Sequence, residues 1–118
     1  MLNARELLVL AASALAVAAC GKKAGDPNVI KIVSSLPRTG SANAQTGTIV
    51  NGIRMAIDEV GGKVGNFRIV YEDWDDASPA RGAWDAEKEA ENANKAVADP
   101  DVMVYIGPYN SGAAKVSI

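Results

Sequence analysis

Three short β-branched runs alternate with two segments of helical periodicity between residues 29 and 106, and that alternation restricts the chain to few architectures. Val29-Ile30-Lys31-Ile32-Val33, bounded by Pro27-Asn28 on one side and by Pro37 and Gly40 on the other, reads as a buried strand. Over residues 48–60 the apolar positions Ile49, Val50, Ile53, Ala56, Ile57 and Val60 recur at helical spacing, opposite Asn51, Arg54, Asp58 and Glu59. Gly61-Gly62 predicts the stop. Phe67-Arg68-Ile69-Val70-Tyr71 reads as a second strand that runs into an acidic loop, Glu72-Asp73-Trp74-Asp75-Asp76. A second helix is expected from near Trp84, with a thin stripe of Ala86, Ala90, Ala93 and Val97, ending before Asp99-Pro100. Val102-Met103-Val104-Tyr105-Ile106 is the third strand. Ser111 reads as the N-cap of a further helix cut at Ile118, which points to a fragment of a longer chain. The expected class is α/β: a parallel sheet with helices on both faces, in the order β-α-β-α-β.

Several chemistries are disfavoured by what the chain contains. At 118 residues it can hold one small domain, and its 48% apolar and 22% charged content with net charge −2 is that of an ordinary globular protein. Lys31, Arg38, Arg54, Lys63 and Arg68 are interleaved with acids, so there is no basic stripe for a nucleic-acid backbone. Histidine is absent and cysteine occurs once, which removes the usual zinc constellations, an internal disulfide and imidazole chemistry. With no phosphate loop either, the expectation is a binding protein without a cofactor, not an enzyme.

Residues 7–19, LLVLAASALAVAA, form an uncharged apolar run of signal-peptide length, too short to span a bilayer comfortably. The segment before it carries little charge, because Arg5 is offset by Glu6. Val17-Ala18-Ala19-Cys20 resembles the lipobox of bacterial lipoproteins, a branched residue and two small ones before the lipidated cysteine. That resemblance implies a lipoprotein signal peptide over residues 1–19 and lipidation at Cys20; the alternative is a buried core thiol. Gly21-Lys22-Lys23-Ala24-Gly25-Asp26-Pro27-Asn28 is polar and Gly/Pro-containing, so residues 20–28 read as a lipid-anchored flexible tether. The product would be exported and anchored at the cell membrane, facing the periplasm or the cell exterior.

In an open parallel sheet, ligands bind beyond the carboxyl ends of the strands where the strand order reverses. The loops at that end span residues 36–47, 73–83 and 107–113. If the order is second, first, third strand, the first and last of these line the crevice. In the last loop Ser111 supplies a hydroxyl, and Gly112 and Ala113 supply backbone N–H groups at a helix start, a set that suits a carboxylate. The competing reading is that Asn110 and Ser111 merely cap a helix. Gly40 and Gly47 are too far apart, and too far from a strand end, for a dinucleotide loop. Glu72, Asp73, Asp75 and Asp76 read as solvated carboxylates, not a metal cluster. Trp74, Trp84 and Tyr109 are either ligand-contacting or loop-packing aromatics, and packing is the reading taken for both tryptophans.

These pieces, IKIVSSLPRTGS, NGIRMAIDEVGG, RIVYEDWDDASPA and VYIGPYNSGAA, resemble in order and spacing the type I periplasmic binding proteins of the leucine/isoleucine/valine-binding branch and its amide-binding relatives. The resemblance implies that residues 29–118 are an incomplete N-terminal lobe of a two-lobed protein. It implies capture of branched-chain or related amino acids, or amides, for an ABC importer, with that transporter's permease subunits as partners and no nucleic acid. By position, the ligand α-carboxylate falls on Asn110 and Ser111, beside Gly112, with Tyr109 near the ligand side chain. Thr46, next to Gln45, stands where the family often has an aromatic wall. The groups that hold the ammonium belong largely to the second lobe, which closes on the first by a hinge motion. A ligand-sensing receptor domain of the same fold is the alternative; it would usually continue into a transmembrane segment, whereas this chain starts with a lipobox.

Overall fold

The computed structural model describes residues 24–118. The signal peptide expected over residues 1–19 and the lipidation expected at Cys20 lie outside the described residues. Among those described, no helix is long and apolar enough to cross a membrane.

Strand β1 (Val29–Leu36) is followed by helix α1 (Asn43–Glu59), the two-residue strand β2 (Lys63–Val64) and the long strand β3 (Phe67–Asp75). A small hairpin, β4 (Ala77–Ser78) with β5 (Ala83–Trp84), leads into helix α2 (Ala86–Ala98), then strand β6 (Val102–Ile106) and helix α3 (Ser111–Ser117). The main sheet has the order β2-β3-β1-β6. β3, β1 and β6 are the second, first and third predicted strands and are parallel, in the order supposed for them, while β2 pairs antiparallel with β3 and makes the sheet mixed. The strand order therefore reverses between β1 and β6.

The pleat sends alternate residues of β1 and β3 to opposite faces, and each face carries a helix. On the α1 face, Ser34 and Tyr71 share a hydrogen bond of 2.7 Å and Arg54 of α1 reaches Asp73 at 3.9 Å. On the α2 face, Ser35 donates to Glu89 of α2, and Lys95 lies 3.8 Å over the Trp74 ring. Val33, Leu36, Val50, Trp74, Ala77 and Ala113 form the buried apolar core. Each Val or Leu buried there contributes about 1.5–3 kcal/mol.

β1 runs three residues past the β-branched segment because Ser34 and Ser35, both fully buried in the central strand, find partners under the two helices. α1 starts five residues before its periodic stripe, at Asn43, and stops where expected: Gly61 and Gly62 have φ of +64° and +68°, and Gly62 N donates to Ile57 O. α2 begins two residues after Trp84 because Ala83 and Trp84 pair with Ala77 and Ser78; Asp85 caps it by accepting from Glu87 N at 3.0 Å.

Three expectations are corrected. The acidic run is not an exposed loop: Glu72 to Asp75 complete β3, with Glu72 bound by Lys31 at 3.1 Å and Asp73 by Arg38 at 2.9 Å, and Asp76 is fully buried. On α2 the fully buried side chain is Glu89, whereas Val97 of the expected apolar stripe is 89% exposed. The N-cap of α3 is Asn110, and Ser111 is the first helical residue.

Candidate functional site

The loops that follow β1 and β6 meet at the carboxyl ends of those strands. Gly107 makes the meeting possible. Its φ is +122°, and a β-carbon there would run into the carbonyl of Ser35, so glycine lets the end of β6 lie directly on β1. Leu36 closes the contact with its side chain, 3.5 Å from the same position.

Beyond Gly107 the chain turns through Tyr109 and Asn110 into α3. Tyr109 is 47% exposed and Ser111 is exposed at the first helical position. Asn110 does not cap with its side chain; its Oδ1 is buried with no hydrogen-bond partner among the described residues. Gly112 packs under Trp84, where a β-carbon would stand 2.6 Å from Cζ2. The first backbone bond of the helix runs from Ala114 N to Asn110 O, leaving the N–H groups of Ser111, Gly112 and Ala113 without an intrahelical acceptor. A hydroxyl and three amide donors at a strand end can pair with the two oxygens of a carboxylate.

Thr46 is placed differently from the other four expected site residues. It is fully buried, its hydroxyl donates to Pro37 O at 2.7 Å, and Arg38 Nη1 donates to it at 3.0 Å. Its geometry is that of a strut behind the β1 loop. Tyr109, Asn110, Ser111 and Gly112 are brought together by being consecutive; no hydrogen bond joins Thr46 to them among the described residues.

Residues that sequence reasoning passed over hold the site together. Arg38 fixes the β1 loop in three directions: its backbone N–H donates to Asp75 at 2.8 Å, its Nε to Asp73 and its Nη1 to Thr46. Gly40 lies so close to Gly82 that a side chain would strike the Gly82 carbonyl, and Ser41 N donates to that same oxygen at 3.0 Å. The β4–β5 hairpin thus braces the β1 loop from one side and, through Trp84, backs Gly112 on the other. Pro37-Arg38 directly after a strand was the available signal, but nothing local announces that Asp73 and Asp75 wait on the neighbouring strand.

Deeper, Ser35 and Tyr105 donate to the two oxygens of Glu89 at 2.5 and 2.8 Å, tying β1 and β6 to α2 just below these loops. Asn92 supports the same point, donating to Ser35 Oγ at 2.9 Å and to Asp75 O at 3.1 Å. Burial, above all, raises the Tyr105 phenol well above its usual range. Among the described residues, no group of three or more His, Cys, Asp or Glu is placed to hold a metal ion.

Two shallow, open hollows lie away from this crevice. One of about 300 Å³ follows the edge strand β6 and is lined by Ala93, Val97, Val102 and Met103. The other, about 500 Å³, sits at the amino ends of the strands around Pro27, Ile30, Phe67 and Pro100. Both are apolar and neither includes Tyr109 to Gly112; for a small charged ligand the polar groups at the strand ends are the better guide. A comparison with protein-family models finds no match, and one with curated protein sequences finds none of significant similarity.

Proposed function

We propose that this chain is part of the N-terminal lobe of an exported, lipid-anchored solute-binding protein that captures amino acids, of the branched-chain type or related amides, for an ABC importer. The observation that carries the reading is the reversal of strand order between β1 and β6, which sets the Pro37–Ala42 loop and the start of α1 beside the Gly107–Asn110 loop and the start of α3 at the carboxyl ends of parallel strands. The resemblance of the quoted segments to type I periplasmic binding proteins supports the solute class. In this reading the chain binds and does not catalyse. Ser111 and the amides of Gly112 and Ala113 hold the α-carboxylate, Tyr109 borders the solute side chain, and Thr46 shapes the β1 loop. A second lobe supplies the ammonium partners and closes on the first, and permease subunits receive the loaded protein. Equilibrium dialysis of the full-length protein against a panel of labelled amino acids and amides tests the reading: saturable retention of one or a few aliphatic members supports it, and retention of none refutes it.

A further inference from the structure

Two carboxyl groups are shut away from solvent together beneath the carboxyl ends of the sheet. Asp76 and Glu89 are both 0% exposed. Glu89 is provided for, with Ser35 Oγ donating to one oxygen and Tyr105 OH to the other. Asp76 is not: neither of its carboxyl oxygens has a hydrogen-bond partner among the described residues. Its backbone is pinned on both sides, Asp76 N donating to Leu36 O at 3.1 Å and Asp85 N to Asp76 O at 2.7 Å.

The surroundings offer Asp76 no compensating charge. From α2 it faces Glu89 and from the adjoining end of β3 Asp75, both carboxyl groups that act to disfavour its ionised form. β1 brings the hydroxyl of Ser35 and β6 the phenol of Tyr105, each already directed at Glu89. The β4–β5 hairpin brings Ser78, whose hydroxyl donates to Asp85 at 2.6 Å. The cations of both faces are engaged elsewhere, Arg38 with Asp73 and Lys95 with Trp74 and Glu72. A carboxyl group so placed takes up a proton sooner than it stays charged.

We propose that Asp76 keeps a proton, shut in beside the Glu89 carboxyl group, up to near-neutral pH, and that its release loosens the first turns of α2 from the carboxyl ends of β1 and β6, making the rim of the crevice sensitive to pH. Burial, followed by Glu89 and then Asp75, pushes the Asp76 carboxyl up to about 7. When the proton leaves, two like charges remain in a dry space, and α2 is the partner that can yield, because side-chain bonds from Ser35, Tyr105 and Asn92 hold it there instead of a backbone ladder. The sign follows from a folded-state value above the ordinary carboxylate one. The contribution to stability is complete below about pH 4 and is lost as pH rises through about 7. The device is independent of which solute the crevice takes.

The test is a carboxyl-carbon NMR titration of the chain with labelled Asp, together with hydrogen exchange of the α2 amides and urea unfolding at pH 5 and pH 8. The Asp76 signal should titrate near neutrality and fall toward the ordinary carboxylate range in Glu89→Gln. Amides of residues 89–93 should lose about ten-fold in protection between pH 5 and pH 8 beyond intrinsic exchange. The urea midpoint of wild type should drop over the same interval, while that of Asp76→Asn should not. An Asp76 signal that titrates near pH 4 overturns the proposal, as does an Asp76→Asn profile parallel to wild type; should that variant fail to fold, the wild-type titration decides alone.

Discussion

The α-carbon of Gly107 lies against the carbonyl oxygen of Ser35, with no room between them for a side chain. One contact thereby joins the end of β6 to the end of β1 and sets the spacing of the two loops that line the crevice. Gly107→Ala must move one strand end or the other, and must also hold alanine at a φ of +122°. We expect a loss of about 1–3 kcal/mol in urea unfolding. Gly52→Ala is the matched control: it lies in the middle of α1 with open space where a side chain would go, and should gain about 0.5–1 kcal/mol. Equal effects at the two positions would mean that the Gly107 contact does not constrain the fold.

Acid stability should depend on Lys31. Its ammonium donates to Asp99 at 2.7 Å and lies 3.1 Å from Glu72, and the bond holds the Asp99 carboxyl below its usual range. Glu72 is lowered first by the indole N–H of Trp74 and then by Lys31. Both shifts are depressions, so their stabilisation is present above the unfolded-state values near pH 4 and is lost as pH falls below them. Asp76 acts with the opposite sign at higher pH. The stability maximum is therefore expected at about pH 4, and Lys31→Met should flatten the acid limb without changing the decline toward pH 8. A chemical-denaturation series from pH 2.5 to 8.5 reads both limbs. An unchanged acid limb in Lys31→Met would remove this ion cluster from the account.

Export and anchoring rest on Val17-Ala18-Ala19-Cys20. Expressed in a bacterium, the protein should partition with membranes, accumulate as a precursor under globomycin and lose its lipid in Cys20→Ser. Mass spectrometry that finds an intact, unlipidated amino terminus in a competent host would contradict the assignment.

The legible parts of this chain were those in which side-chain type and backbone state agree locally. Val102–Ile106 was readable because a β-branched run is bracketed by Asp99-Pro100 and Gly107-Pro108, and the end of α1 because Gly61 and Gly62, just beyond it, take the positive φ that stops a helix. The parallel pairing of the three long strands, too, followed from the alternation of elements, whereas their order was only supposed and comes from the structure. Ser34, Ser35 and the carboxylates of β3 were misread because their place in the sheet depends on partners far along the chain: Tyr71 and Asp73 for Ser34, Glu89 for Ser35, Lys31 and Arg38 for Glu72 and Asp73. Glu89 carries the same lesson, since a glutamate on a helix reads as solvent-facing until a buried serine and tyrosine are found to donate to it. At the candidate site, the position of Tyr109 to Gly112 directly after a strand was legible, but the burial of Thr46 and the three-way role of Arg38 were not.

The central claim, that Ser111 holds the carboxylate of a zwitterionic solute, is tested most directly by calorimetry on the full-length protein. The solute retained in dialysis is compared with its carboxamide, which keeps the shape and removes the charge. Wild type should strongly prefer the acid. Losing one hydrogen bond to a charged group costs about 1.5–3 kcal/mol, so Ser111→Ala should weaken binding of the acid by roughly ten-fold to a hundred-fold and narrow its advantage over the amide. If Ser111→Ala weakens acid and amide equally, or neither, then Ser111 serves only to start α3 and the site lies elsewhere.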